Sequence, residues 1–277
     1  LRGIMMLKII KLFKFNYDIL INRLIIPIIL KDLEYILENY NKVSFDIWEE
    51  QIGWHFYTRL VQLKFIKDIC KELKLFKFTE TKIDTIKSVE EKIIQSINHH
   101  IGKNERGNYI ISSFDKNGGI IKYEDSANIL ALCHIDFDDT ILNIFGLDSI
   151  LHTCDNLLNS FRSKYNDKDL NLIGRYIDDK YYNGHIWIIC SLAMAQVYLE
   201  IYKRRNKKIK RSSMDRAISN PNNDLYLVSN EILEKILSLD VDFILPEQFD
   251  PITSEYYSAK KLTWNYSELY TLINKLN

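Results

Sequence analysis

The stretch Ser44-Phe45-Asp46-Ile47-Trp48-Glu49-Glu50-Gln51-Ile52-Gly53-Trp54-His55-Phe56-Tyr57-Thr58 decides how the rest of the chain is read. It sets two adjacent carboxylates, Glu49 and Glu50, beside an indole, Trp48, just ahead of a helix-like run that starts near His55. A neighbouring negative charge and an apolar wall both disfavour ionisation, so such a setting favours the protonated carboxyl that a general acid requires. Taken alone, the same string is most often a solvated helix start with one buried indole. The surrounding chain has to decide.

Outward from the stretch, helical spacing dominates. From Ile26 to Tyr40 the apolar positions Ile29, Leu33, Ile36, Leu37 and Tyr40 recur on one face, with Pro27 near the first turn, where a missing N–H costs nothing. The spacing predicts further helices over His55 to Leu73 (Phe56, Leu60, Leu63, Cys70), Thr81 to His99 (Val89, Ile93, Ile94, Ile97) and Asp125 to His134 (Ile129, Leu130, Cys133). Leu147 to Tyr165, Gly184 to Tyr202, Asn223 to Ile244 and Ser258 to Leu276 complete about eight amphipathic helices. Ile101 to Glu124, with four glycines, reads as a long excursion with a short hairpin at Tyr109 to Ser113. No run alternates as strands do, and nothing repeats at a fixed period. The run Met5 to Phe15 is apolar but punctuated by lysines, and reads as core helix rather than signal peptide or membrane span.

The 277 residues are enough to bury one full core, and the chain is expected to form a single domain, residues 1–277. A formal net charge of zero removes any global pull toward nucleic acid or an anionic membrane, so neither is an expected partner. The basic run Lys203 to Arg211 is read as part of a solvated loop, Lys203 to Asn223, in preference to a nucleic-acid contact. Cys70, Cys133, Cys154 and Cys190 are far apart and form no C-x-x-C pair, which argues against a zinc site or a disulfide framework. With one N-x-S/T acceptor, Asn265-Tyr266-Ser267, the cysteine pattern leans weakly toward an intracellular or vacuolar protein over a secreted one.

Three further strings carry chemistry. Leu245-Pro246-Glu247-Gln248-Phe249-Asp250 is followed by Ser258-Ala259-Lys260-Lys261-Leu262-Thr263-Trp264-Asn265-Tyr266, and Gly174-Arg175-Tyr176-Ile177-Asp178-Asp179 leads into Tyr181-Tyr182-Asn183-Gly184 and Trp187. Together with the opening stretch they resemble the glucoamylase family, glycoside hydrolase family 15, whose members carry D-L-W-E-E with G-x-x-F-F-T, G-R-Y-P-E-D-x-Y-x-N-G-N-P-W, S-E-Q-F/Y-D and S-A-x-D-L-T-W-S-Y in this order. Pro27-Ile28 with Asp32-Leu33-Glu34-Tyr35, the run Asp125 to Leu130 with His134 and Asp136, and Leu192 to Tyr198 are similar to other family helices. The resemblance covers roughly Ile25 to the end of the sequence.

The resemblance implies an all-α fold, an (α/α)6 barrel, and an exo-acting glucan 1,4-alpha-glucosidase that releases glucose from non-reducing ends with inversion. Glu49 would be the general acid and Glu247 the base that activates water, with the two carboxyls roughly 6.5–9.5 Å apart. Glu50, Arg175 and Asp179 would hold sugar hydroxyls, and Trp48, Trp187 and Trp264 would offer faces to pyranose rings. Paired, directional hydrogen bonds suit planar guanidinium and carboxylate groups to that task. No metal or organic cofactor is implied, the partner is an alpha-glucan, and the protein is expected to be a monomer.

The pattern departs from the family at Ile177-Asp178, at His185-Ile186 and at Pro246, and no W-P-R-D string is present. About eight helices do not close a twelve-helix ring, so the barrel is expected to be incomplete, with its N-terminal helices missing, and the chain alone to turn over substrate poorly. The competing readings are a non-catalytic glucoamylase-like domain that binds glycogen, as in phosphorylase kinase regulatory subunits, and a helical interaction scaffold. A binding module has no use for an acid and a base together.

Overall fold

A computed structural model describes residues 1–13, 20–212, 223–239 and 244–276. Along the chain run α1 (Arg2–Phe13), a π-helical turn (Ile21–Ile25), α2 (Ile26–Asn39), β1 (Ser44–Phe45), β2 (Ile52–His55), α3 (Phe56–Lys71), α4 (Leu73–Phe76) and α5 (Glu80–Asn98). Strands β3 (Ile101–Asn104), β4 (Gly107–Ile110), β5 (Ser113–Phe114) and β6 (Ile120–Lys122) follow, then α6 (Ala127–His134) and α7 (Asp139–Tyr165). A 3-10 turn (Tyr181–Gly184), β7 (Ile186–Trp187), α8 (Ile188–Ser212), α9 (Asn223–Leu239), β8 (Gln248–Phe249), β9 (Tyr256–Tyr257) and α10 (Thr263–Leu276) complete the described elements. The chain divides into two compact units, one of Leu1–Ile101 with Ser113–Ile121, the other of Gly102–Ser112 with Lys122–Asn277.

In the first unit the periodic apolar stripes do what their spacing requires. Ile4, Leu7 and Ile10 of α1, Ile29 and Leu33 of α2, and Phe56, Leu60, Leu63, Ile66 and Ile69 of α3 are buried, joined by Ile86, Val89, Ile93 and Ile97 of α5. Each such side chain contributes roughly 1.5–3 kcal/mol through burial. The Thr79 hydroxyl accepts the Lys82 N–H at 3.3 Å and so starts α5 where an unpaired donor would otherwise face solvent.

The second unit is built round α8. From Ile188 to Leu199 every residue is buried, and a helix apolar on all sides belongs in the middle of its neighbours. Helices α6, α7, α9 and α10 all pack against it. Helix α7 begins with Asp138 accepting the Thr140 N–H at 2.9 Å, bends at Gly146 (φ 76°), where a side chain would be strained, and ends on Asn166 in the left-handed conformation. That bend explains why helical spacing is first legible from Leu147.

Several expectations are corrected. The described residues contain ten α-helices rather than about eight, and nine strands of two to four residues where none was convincing. His55 ends β2 and precedes α3, so the aromatic run Trp54-His55 is strand rather than helix. The hairpin of the excursion is β3 with β4, earlier than Tyr109 to Ser113. Lys203 to Ser212 continues α8 instead of opening a loop, with Arg204 bonded to Glu200 at 2.6 Å and Asp139 at 3.0 Å and Arg205 to Asp148 at 2.7 Å. The rest of that predicted loop, 213–222, the end of the predicted Asn223 to Ile244 helix, 240–243, and Lys14 and Phe15 of the first run lie outside the described residues.

Candidate active site

In the first unit, β1 and β2 pair antiparallel with Ser44 opposite Gly53 and Phe45 opposite Ile52, and the loop between them carries Trp48, Glu49 and Glu50. Asp46 organises that loop. Its N–H donates to the Gln51 carbonyl at 2.9 Å, its carbonyl accepts the Glu49 N–H at 3.2 Å, and its Oδ1 accepts the Glu50 N–H at 2.8 Å. Beneath the loop, His55 Nε2 lies 3.0 Å from the Ser44 carbonyl and 3.1 Å from that of Gln51. Glu49 is held at φ 61°, a left-handed conformation that costs a side-chain-bearing residue about 1 kcal/mol and persists only where surrounding bonds impose it. Glu49 and Glu50 are exposed and Trp48 half-buried, so both carboxylates project from a hairpin that is fixed from below.

In the second unit, β7, β8 and β9 form an antiparallel sheet with Trp187 opposite Gln248 and Gln248 opposite Tyr257. Glu247 immediately precedes β8. Its N–H donates to the Ala259 carbonyl at 2.7 Å and its own carbonyl accepts the Ile188 N–H at 3.3 Å. Asn265, at the start of α10, donates to the Pro246 carbonyl at 2.6 Å, and Tyr266 accepts the Leu245 N–H at 3.0 Å. The backbone of the Leu245-Pro246-Glu247 string is therefore clamped by both of its sequence neighbours in function, the Ser258 string and α8. The half-exposed Glu247 carboxylate accepts a hydrogen bond from the Ser258 hydroxyl, which also lies 2.9 Å from Tyr181 Oη.

The Gly174 string joins the same sheet, since the Trp187 N–H donates to the Ile173 carbonyl at 3.1 Å. A Cβ at residue 174 would stand 2.4 Å from the His185 carbonyl oxygen, so the close approach demands glycine. Arg175 meets Asp179 in two parallel bonds, Nε to Oδ2 at 2.8 Å and Nη2 to Oδ1 at 2.6 Å, both side chains nearly sealed from water at 5% and 0% exposure. Asp179 Oδ1 also accepts the Tyr181 N–H at 2.8 Å. The guanidinium lies over the rings of Trp187 at 4.9 Å, Tyr181 at 5.3 Å and Tyr176 at 5.4 Å, which adds cation–π attraction and fixes its plane. Nearby, burial lowers the His185 imidazole below its ordinary pKa despite Asp250 at 3.9 Å, and its ring stacks on Tyr257 at 4.4 Å.

Trp264 is half-buried at the start of α10 and stacks on His134 at 6.4 Å. Behind it sits a polar network that the sequence did not single out: Glu268 accepts from Gln196 at 2.7 Å and lies 3.5 Å from His134, while Lys275 bonds Gln196 at 2.8 Å. Burial pushes the Glu268 carboxyl up, yet hydrogen bonds from His134 and Gln196 outweigh it and hold the group below the usual carboxylate range. A carboxyl whose pKa is depressed on folding stabilises the protein above its unfolded pKa, about 4.3, and that stabilisation disappears as pH falls through the folded value. Glu268→Gln is therefore expected to flatten the loss of Tm below about pH 4.5 while lowering stability near neutrality by roughly 1–3 kcal/mol, measured by thermal melts from pH 3 to 7.

Of the eight residues singled out, Trp48, Glu49 and Glu50 lie on the hairpin of the first unit. Arg175, Asp179, Trp187, Glu247 and Trp264 gather round the β7-β8-β9 sheet and the start of α10 in the second. Trp187 is buried at 5% exposure beneath Arg175, and Asp179 has both oxygens engaged by its own string. Asp46, Tyr181 and Ser258 were not assigned roles from sequence, although all three stand inside the quoted strings. Among the described residues no cluster of three or more His, Cys, Asp or Glu could hold a metal ion, the four cysteines are free, and no helix is long and apolar enough to cross a membrane.

Compared with known proteins, residues 2–274 match the family model described as Glycosyl hydrolases family 15. A curated relative named "Glucoamylase" from Blastobotrys adeninivorans is 26% identical over 293 residues, covering 86% of this chain and 44% of that protein. "Glucoamylase, intracellular sporulation-specific" from Saccharomyces cerevisiae is 26% identical over 301 residues, covering 86% of this chain and 53% of that protein. Among solved structures, the family 15 glucoamylase from Hypocrea jecorina superposes with a TM-score of 0.79 at 22% identity, covering 99% of this chain and 50% of that one. The Hormoconis resinae glucoamylase gives 0.79 at 21% identity, with 99% and 51% covered. These structures are (α/α)6 barrels, and the chain has their fold over the part it covers. It spans about half the length of the curated relatives it matches.

Proposed function

The chain belongs to glycosyl hydrolases family 15, and from that premise we propose that it serves an exo-acting glucan 1,4-alpha-glucosidase that removes glucose from the non-reducing ends of starch- or glycogen-type chains with inversion. The observation that carries the reading is Glu247: a half-exposed carboxylate on a backbone clamped from both sides, given a hydroxyl donor by Ser258, and set in the same sheet assembly as the Arg175–Asp179 pair. Glu49 acts as the acid and gives its proton to the glycosidic oxygen as the bond from C1 to that oxygen breaks. A water attacks C1 from the opposite face, and Glu247 takes the proton that the water loses. Solvent then restores both carboxyls to their starting protonation states.

Glu50 and Arg175 hold sugar hydroxyls, Asp179 positions Arg175, and Trp48 and Trp264 offer ring faces to the substrate, with Trp187 as the platform under the guanidinium. The reaction requires no metal or organic cofactor. The single-domain, monomeric organisation belongs to the same proposal.

Stereochemistry tests the reading. Proton NMR of a fresh digest of soluble starch is expected to show β-glucose first, with the α-anomer growing in by mutarotation. The assay is run on the 277-residue chain and on a form extended by the amino-terminal part of a curated relative, because the chain spans about half of their length. Initial release of α-glucose, or no glucose from either form, would sink the proposal.

A further inference from the structure

Within the first unit, and apart from all eight residues given roles above, lies a cavity of about 500 Å³. That volume falls in the range of small-ligand sites. No acidic residue lines it, whereas Arg59, Lys116, His99 and His100 do, together with the rings of Trp54 and Phe114. Arg59 is the decisive group. It is 3% exposed, yet among the described residues it forms no ion pair. Its Nη1 donates to the Tyr40 carbonyl and to Gln62 Oε1 at 3.2 Å, its plane stacks on Trp54 at 4.4 Å, and among the described residues its Nε and Nη2 donors meet no acceptor.

A buried cation without a counter-charge is costly, because neither water nor a carboxylate compensates it. Burial brings the Arg59 guanidinium down to about 10, so it remains charged at neutral pH and the cost stays in place. Asp115, adjacent in sequence to Lys116, spends Oδ1 on the N–H groups of Asn117 at 2.7 Å and Gly119 at 3.0 Å, holding the turn that carries Lys116. A ligand bearing negative charge is what this arrangement lacks. Trp54 and Phe114, register partners on β2 and β5, add two apolar faces beside the cations, and His100 packs edge-on to Phe114 at 5.2 Å.

We propose that this cavity binds a small phosphate monoester of a ring compound, the phosphate against Arg59 and Lys116 and the ring between Trp54 and Phe114. Guanidinium groups recognise phosphate by paired, charge-assisted hydrogen bonds, and the free Nε and Nη2 donors of Arg59 present such a pair. Sugar and aromatic faces stack on indole, which gives the remainder of the volume a use. The site depends on none of the groups assigned to glycoside cleavage.

Isothermal titration of the 277-residue chain with glucose 6-phosphate, glucose and inorganic phosphate tests this assignment. Glucose 6-phosphate is expected to bind at least tenfold more tightly than inorganic phosphate, and to raise Tm, while glucose competes with neither. Arg59→Gln should abolish binding, and Lys116→Ala, at an exposed turn position, should weaken it at least fivefold. Glu247→Gln should leave it unchanged. Absence of glucose 6-phosphate binding, equal affinity for inorganic phosphate, undiminished binding by Lys116→Ala, or loss in Glu247→Gln would each overturn the proposal.

Discussion

Replacing Glu247 by Gln is expected to lower kcat for glucose release from soluble starch by ~100- to 10,000-fold with KM nearly unchanged, the range that a positioned general base supplies. The amide keeps the shape and a hydrogen-bonding oxygen for Ser258 but takes no proton from water. The backbone bonds to Ala259, Ile188 and Asn265 do not involve the carboxylate, so the variant should fold as the parent does. Steady-state kinetics in whichever form releases glucose, paired with a thermal melt, separate lost chemistry from lost structure. Ser258→Ala supplies the scale: removing one donor to a carboxylate costs about 1.4 kcal/mol, or tenfold. Equal losses in the two variants would show that Glu247 matters only as an acceptor for Ser258, and the base would have to be sought elsewhere.

Asp179→Ala is expected to be the most damaging change to stability. Removing one partner from a sealed, bidentate pair leaves a charge behind, and such losses run to about 3–5 kcal/mol. The Tyr181 N–H loses its acceptor as well. Urea unfolding should therefore show a much lower midpoint at an unchanged slope, and the double variant Arg175→Met with Asp179→Leu should recover part of the loss because it buries no lone charge. A midpoint shift smaller than that of an ordinary surface substitution would mean that water or another group already compensates Arg175.

The two effects together say what was legible in the sequence. Side-chain identities at fixed separations were enough to single out Glu247, Arg175, Asp179 and the Trp264 string, because those strings resemble the family's motifs. Long helices were equally legible, since α2, α5 and α8 carry apolar stripes over several turns. The hairpin under Glu49 was not: strands of two and four residues hold no alternation, and the aromatic run of α3 extends its apparent helix backward into β2. The basic run after Tyr202 looked like a loop because charge stood out. Lys and Arg are good helix formers, however, and the acids that Arg204 and Arg205 meet on α7 lie 65 and 57 residues away. Partnerships of that kind, like Ser258 with Glu247, exist only once the chain has folded. Asp179 shows the opposite case, a residue singled out by its string whose partners, Arg175 and the Tyr181 N–H, lie within that same stretch.

The left-handed twist at Glu49 carries a last consequence. Most amino acids would resist that backbone angle, branched ones most of all, whereas glycine and asparagine adopt it freely. The replacements that silence the proposed proton donor are thus the ones the hairpin welcomes. A descendant of this chain that drifted from enzyme to inert sugar holder would meet no structural obstacle at that position, and would gain a slightly sturdier loop in the exchange.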